Sequence, residues 1–196
     1  THKTNIIAVS KTFPVSEILP LVNRQHVHFG ENKVQEAFEK WPKIKQDYKD
    51  IKLHMIGRLQ TNKVKFVIPL FDYIHSLDSL KLAKKIYEEQ NRIKKNLKIF
   101  IQVNIGKEDQ KSGINEGYLE EFYKKCISEF NLDIVGLMCL PPNNSDSSDY
   151  FLKMKDLAKK HNLKELSMGM SNDYLEAVKH GATFVRIGSA IFGNRS

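Results

Sequence analysis

The chain has 196 residues, 41% hydrophobic and 28% charged, which suits a globular fold and excludes a wholly disordered or collagen-like one. Its net charge of +8 comes from 31 basic against 23 acidic residues, and 26 of the basic ones are lysines scattered among glutamates. Scattered charge without a zinc knuckle or recognition-helix pattern argues against nucleic acid as a partner, and no apolar run approaches the roughly 20 residues of a membrane span.

The polar start, Thr1 to Asn5, reads as no secretory leader, and Cys126 and Cys139 suit neither a disulfide framework nor a metal site. A reduced, cytoplasmic setting is the expectation. Short runs rich in Val, Ile and Phe then alternate with amphipathic stretches. The runs cover 6–9, 27–29, 53–56, 73–77, 99–105, 134–140, 165–168 and 184–187. Helical stripes are clearest over 79–94 and 116–130, and Asp78, Asn115 and Asn172 stand where helix caps belong. No Pro/Gly-rich linker divides the chain, and 141–149 reads as a polar loop feeding a helix. Eight strands separated by helices favour a (β/α)8 TIM barrel formed by 1–196 as one domain. An open doubly wound sheet is the competitor. The few residues after the last strand leave one covering helix apparently missing.

Barrel chemistry belongs at the C-terminal strand ends. With Ile7 and Val9 pointing inward, the two-residue alternation turns Lys11 into the mouth. Desolvation there favours the neutral amine that an imine-forming nucleophile needs. The alternative is a solvent-facing lysine among many. The last strand places Phe184, Arg186 and Gly188 on one face, and an inward arginine calls for a buried carboxylate or a ligand acceptor. Glu31 and Asp78 are the few candidate carboxylates. Gly188-Ser189-Ala190 and Ser167-Met168-Gly169-Met170-Ser171-Asn172-Asp173 are small and polar where strands enter helical turns, as phosphate sites require.

Asn32 after the second strand could meet a ring hydroxyl or cap a helix. His54, Gly57, Arg58, Gln60 and Asn62 form a polar cluster after the third strand, and Asn104 precedes a loop carrying Lys107 and Lys111. His75 and Met138 read as core packing. No carboxylate pair, His/Cys metal spacing or Ser-His-Asp arrangement stands out.

Taken in order, these segments resemble the YggS/PROSC-type pyridoxal 5′-phosphate (PLP) homeostasis proteins. The resemblance lies in Ala8-Val9-Ser10-Lys11-Thr12, Phe29-Gly30-Glu31-Asn32, His54-Met55-Ile56-Gly57-Arg58-Leu59-Gln60-Thr61-Asn62-Lys63 and His75-Ser76-Leu77-Asp78-Ser79. It continues through Lys111-Ser112-Gly113, Leu166-Ser167-Met168-Gly169-Met170-Ser171-Asn172-Asp173 and Arg186-Ile187-Gly188-Ser189-Ala190-Ile191-Phe192-Gly193. It implies a barrel like the N-terminal domain of alanine racemase, here without the family's helix before the first strand.

The resemblance also implies a Schiff base between Lys11 and PLP, Arg186 at the pyridine nitrogen and Asn32 near the ring hydroxyl. Ser171, Gly188 and Ser189 would hold the phosphate, and Met168 is counted with the cofactor-binding residues. The implied role is a non-catalytic carrier that buffers PLP or delivers it to apo-enzymes; a monomer is the expectation, with the oligomeric state left open by the sequence. A racemase-like enzyme is the alternative. An arginine disfavours protonation of the ring nitrogen, where a carboxylate would strengthen the electron sink. Racemisation further needs a second proton carrier, and no tyrosine is evident for that role.

Overall fold

In the computed structural model of the chain, which describes residues 3–109, 111–143 and 146–194, all eight apolar runs are strands. They are β1 (Asn5–Val9), β2 (His28–Glu31), β3 (Lys52–Met55), β4 (Tyr73–Leu77), β5 (Lys98–Gln102), β6 (Asp133–Met138), β7 (Glu165–Ser167) and β8 (Phe184–Ile187). They pair in parallel and in chain order into a closed barrel, so the open sheet is excluded. Closure falls between β8 and β1, with Ile7 beside Arg186.

Helices α1 (Val15–Asn23), α2 (Val34–Asp47), α3 (Val64–Leu70), α4 (Leu80–Ile93), α5 (Leu119–Ser128), α6 (Ser148–Lys160), α7 (Tyr174–Lys179) and α8 (Ser189–Phe192) follow the strands. A four-residue helix thus stands where a covering helix was expected to be missing. None of the described helices is long and apolar enough to cross a membrane.

Burial on both faces explains why the strands read as near-continuous apolar runs. Ala8, Phe29, Leu53, Ile74, Leu137 and Val185 pack outward beneath the helices, while Ile7, Phe100, Met138 and Phe184 fill the barrel. Alternation on β8 is as expected, with Phe184 inward and Val185 and Ile187 outward.

Three local expectations need correction. The fifth strand ends at Gln102 rather than 105, because Val103 bridges Ile114 and the chain then turns. Asp78 is not the cap of α4: Ser79 accepts the Leu82 N–H, and the Asp78 carboxylate accepts from Gly113 at 2.9 Å. Nor does Asn172 cap α7; Asp173 precedes that helix and accepts the Met170 N–H at 2.8 Å. Asn115 does cap, taking the Gly117 N–H at 2.9 Å in a 3-10 turn that leads into α5. Residues 144 and 145 of the expected 141–149 loop lie outside the described residues.

Candidate functional site

A cavity of about 610 Å³ opens at the C-terminal mouth of the barrel, where Val9, Lys11, Asn32, Ile56 and Leu140 end or follow their strands. Ser171, Arg186, Gly188 and Ser189 complete its wall. Six of the seven residues expected to bind a cofactor therefore meet in one place. Met168 does not. It is fully buried in the layer between barrel and helices, because alternation along β7 turns Ser167 inward and Met168 outward. Met170, two residues on, lines the cavity instead.

The segment bearing Lys11 is braced from below. Glu31 is fully buried and accepts from Ser10 Oγ and Trp41 Nε1, each at 2.9 Å. The Lys40 ammonium lies 2.7 Å from the same carboxylate and donates to the carbonyls of Ser10 at 2.8 Å and Phe13 at 3.0 Å. Glu36 receives the Thr12 N–H, which holds Thr12 at a φ of +69°, a region costly for a side chain with a β-carbon. Phe13 stacks on Phe192 at 4.9 Å and ties this loop to α8. Burial pushes the Glu31 pKa up, while Lys40, Trp41 and Ser10 oppose the shift.

Arg186 is 4% exposed. Its two terminal nitrogens donate to Ser167 Oγ at 2.5 Å and to the Cys139 carbonyl at 2.9 Å. Among the described residues it makes no ion pair, so the buried-carboxylate alternative fails. Glu31 faces α2 and Asp78 serves Gly113. Burial lowers the Arg186 pKa from its ordinary value, against the weaker pull of Asp173.

Main-chain donors surround the other side of the cavity. Gly169, at a φ of +103°, turns the chain after β7 into the 170–173 bend, which the Asp173 carboxylate holds through the Met170 N–H. The amides of Ser171, Asn172, Ser189 and Ala190 donate to no main-chain carbonyl among the described residues. N–H groups without a main-chain acceptor, beside the hydroxyls of Ser171 and Ser189 that line the cavity, suit an oxyanion. A lysine amine, a buried arginine without an ion pair among the described residues, and two turns rich in N–H and hydroxyl donors therefore fit PLP.

Of the polar residues after β3, His54 lies inside the barrel, fully buried, rather than at the rim. Arg58 and Lys111 line an adjoining hollow of about 380 Å³ that shares Asn32 and Leu140 with the main cavity. Lys107 lies at a separate hollow. Asn104 closes its own loop through both main-chain groups of Glu108. Sequence reasoning did not foresee Ser167 as the partner of Arg186, nor the contact of three histidines inside the barrel. The available signal was position: His28, His54 and His75 lie on three successive strands.

Fold and site together define a barrel of the alanine racemase N-terminal domain kind. The family model "Alanine racemase, N-terminal domain" matches residues 1–196, and the chain belongs to that family. A pyridoxal phosphate homeostasis protein of Aquifex aeolicus is 38% identical over 201 residues, covering 97% of this chain and 86% of that protein. PipY of Synechococcus elongatus, solved with PLP bound, superposes with a TM-score of 0.88 at 32% identity, covering 97% of this chain and 92% of that one. Alanine racemase of Clostridium difficile, at 15% identity and a TM-score of 0.76, shares the fold over 53% of its length.

Proposed function

We propose that the chain binds PLP at the C-terminal mouth of the barrel and serves its homeostasis by holding and releasing it, without turning over a substrate. One observation carries the reading: Lys11, Arg186 and the amides and hydroxyls of the 171 and 189 turns share a single cavity. PLP supplies an aldehyde that condenses reversibly with an amine, water leaving. Lys11 would provide that amine. Arg186, which can only donate, would face the ring nitrogen and keep it unprotonated. Asn32 would lie by the ring hydroxyl, and Ser171, Gly188 and Ser189 would receive the phosphate. The relatives named for PLP homeostasis, and PipY with PLP bound, support the reading.

The wall of the cavity supports a reading without turnover. Racemisation needs a proton carrier on each face of the substrate carbon. Among the described residues lining the cavity, Lys11 and Arg186 are the only titratable side chains, and the guanidinium stays charged. The same reading makes the chain a cytoplasmic monomer that hands PLP to apo-enzymes.

Mass spectrometry after incubation with PLP and borohydride reduction tests this. A pyridoxyl adduct on the Lys11 peptide, lost in Lys11→Ala, is expected, with no D-alanine formed above the rate of PLP alone. An adduct spread evenly over other lysines, or equal in Lys11→Ala, refutes the assignment. Fast D-alanine formation favours the racemase alternative.

A further inference from the structure

The barrel interior carries a polar series that cofactor binding leaves unexplained. His28 Nδ1 lies 2.9 Å from His54 Nε2, and His54 Nδ1 lies 2.8 Å from His75 Nε2. His75 Nδ1 meets Ser167 Oγ at 2.8 Å, and that oxygen is the one to which Arg186 donates. The series begins at Arg186 in the wall of the proposed cofactor cavity. It ends at His28, in the wall of a cavity of about 450 Å³ at the opposite mouth.

The direction of every bond follows from its first member. A guanidinium has donors only, so Ser167 accepts from Arg186. The hydroxyl has one hydrogen, and its other contact among the described residues is His75 Nδ1. Donation there makes Nδ1 the lone-pair nitrogen of His75 and leaves its proton on Nε2. His75 then donates to His54, His54 donates to His28, and His28 keeps Nε2–H at the far cavity. The reverse order aims two donors at Ser167 and strands the hydrogen of a fully buried hydroxyl, a costly state. The scheme needs neutral rings. Burial, reinforced by neighbouring charges, holds His54 and His75 well below the ordinary histidine pKa and His28 at about 4.

We propose that Ser167, His75, His54 and His28 are positioning residues, a one-way hydrogen-bond chain that fixes the Arg186 guanidinium for the ring nitrogen of PLP. This role rests on the functional reading above. Without an ion-pair partner, Arg186 depends on Ser167 and the Cys139 carbonyl for its orientation. A hydroxyl that can rotate is a poor anchor; one whose hydrogen is committed to His75 presents its lone pair in a set direction. Successive donations polarise one another and strengthen that anchor. His54 stacks on Tyr73 at 4.2 Å and His75 on Phe100 at 4.3 Å, so neither ring flips without displacing an aromatic neighbour.

Nitrogen-15 NMR of histidine- and arginine-labelled protein without cofactor reads the chain directly. All three rings are expected as Nε2–H tautomers, with a sharp, slowly exchanging pair of Arg186 Nη signals. An Nδ1–H tautomer at His75 or His54 overturns the direction. Two substitutions then test positioning. Glutamine reproduces the one acceptor and one donor of a neutral histidine, whereas phenylalanine keeps the stack and offers neither. His75→Gln should keep PLP affinity within about twofold, and His75→Phe should lower it about tenfold while broadening the Arg186 signals. Equal behaviour of the two variants, or unchanged Arg186 signals in His75→Phe, overturns the proposal. If the unaltered protein takes up no PLP, the functional reading fails, and the Arg186 signals alone judge the chain. If His75→Phe does not fold, the tautomers of the unaltered protein decide.

Discussion

The ammonium of Lys40 touches Glu31 and two main-chain carbonyls, so one side chain braces both flanks of Lys11. Nothing in the sequence marks it among 26 lysines, because its value comes from packing α2 against the loop after β1. Alternation, by contrast, turned Lys11 and Arg186 toward the mouth, where both line the cavity, although for Lys11 a solvent-facing reading stood beside it. Replacing Lys40 by methionine leaves Glu31 fully buried with its main counter-charge gone. Such a loss typically costs about 3 kcal/mol. Glu31 is already displaced upward by burial, so the folded variant binds a proton that the unfolded chain releases. The Glu31 penalty in the variant should therefore shrink as pH falls. Urea denaturation of Lys40→Met is expected to show the larger deficit at pH 8 and a smaller one at pH 5. An equal deficit at both values removes Glu31 from the account.

At the level of strands and turns, the continuous apolar runs placed all eight strands, since burial on both faces leaves little room for polar residues. Their ends were less legible. The 167–173 segment passes from strand into turn within a few residues, so a motif that spans it says nothing of parity; hence Met168 outside and Ser167 inside. Tertiary demand also reassigned Asp78 from a helix cap to the Gly113 amide. The turn after β3 presses on the one after β2 in a way no periodicity shows. A β-carbon at Gly57 would lie 2.4 Å from the Asn32 carbonyl oxygen and 2.8 Å from its Cα. Both are backbone atoms, so the Asn32 segment has to move. Gly57→Ala should cost about 2 kcal/mol in urea denaturation, as overpacking does, and weaken PLP binding several-fold through Asn32. Unchanged stability and unchanged binding together contradict the close approach.

For the whole molecule, three neutral histidines inside the barrel tie folding to pH. His54 and His75 are desolvated completely, and His28 is lowered to about 4 by burial first, then by His26, Lys52 and Lys3 against Asp72. Each accepts a proton when unfolded, near pH 6.5, and refuses it when folded. Stability is therefore complete above pH 6.5 and declines as pH falls toward 4. The limiting slope is about 1.4 kcal/mol per pH unit for each histidine. His161, also lowered by partial burial, adds a smaller contribution of the same sign, and Glu31 opposes it. Glu89, Glu120 and Glu176 are held below the usual carboxylate range, so their losses begin only under about pH 4.5. The window from pH 6.5 to 5 belongs to the histidines. Urea midpoints measured across it should fall steadily in the unaltered protein and much less in a His54→Gln, His75→Gln double variant. Glutamine keeps the hydrogen bonds and removes the titration, so the two effects separate. A level profile in the unaltered protein would mean that the rings are charged inside the barrel, and the one-way chain to Arg186 would fall with that finding.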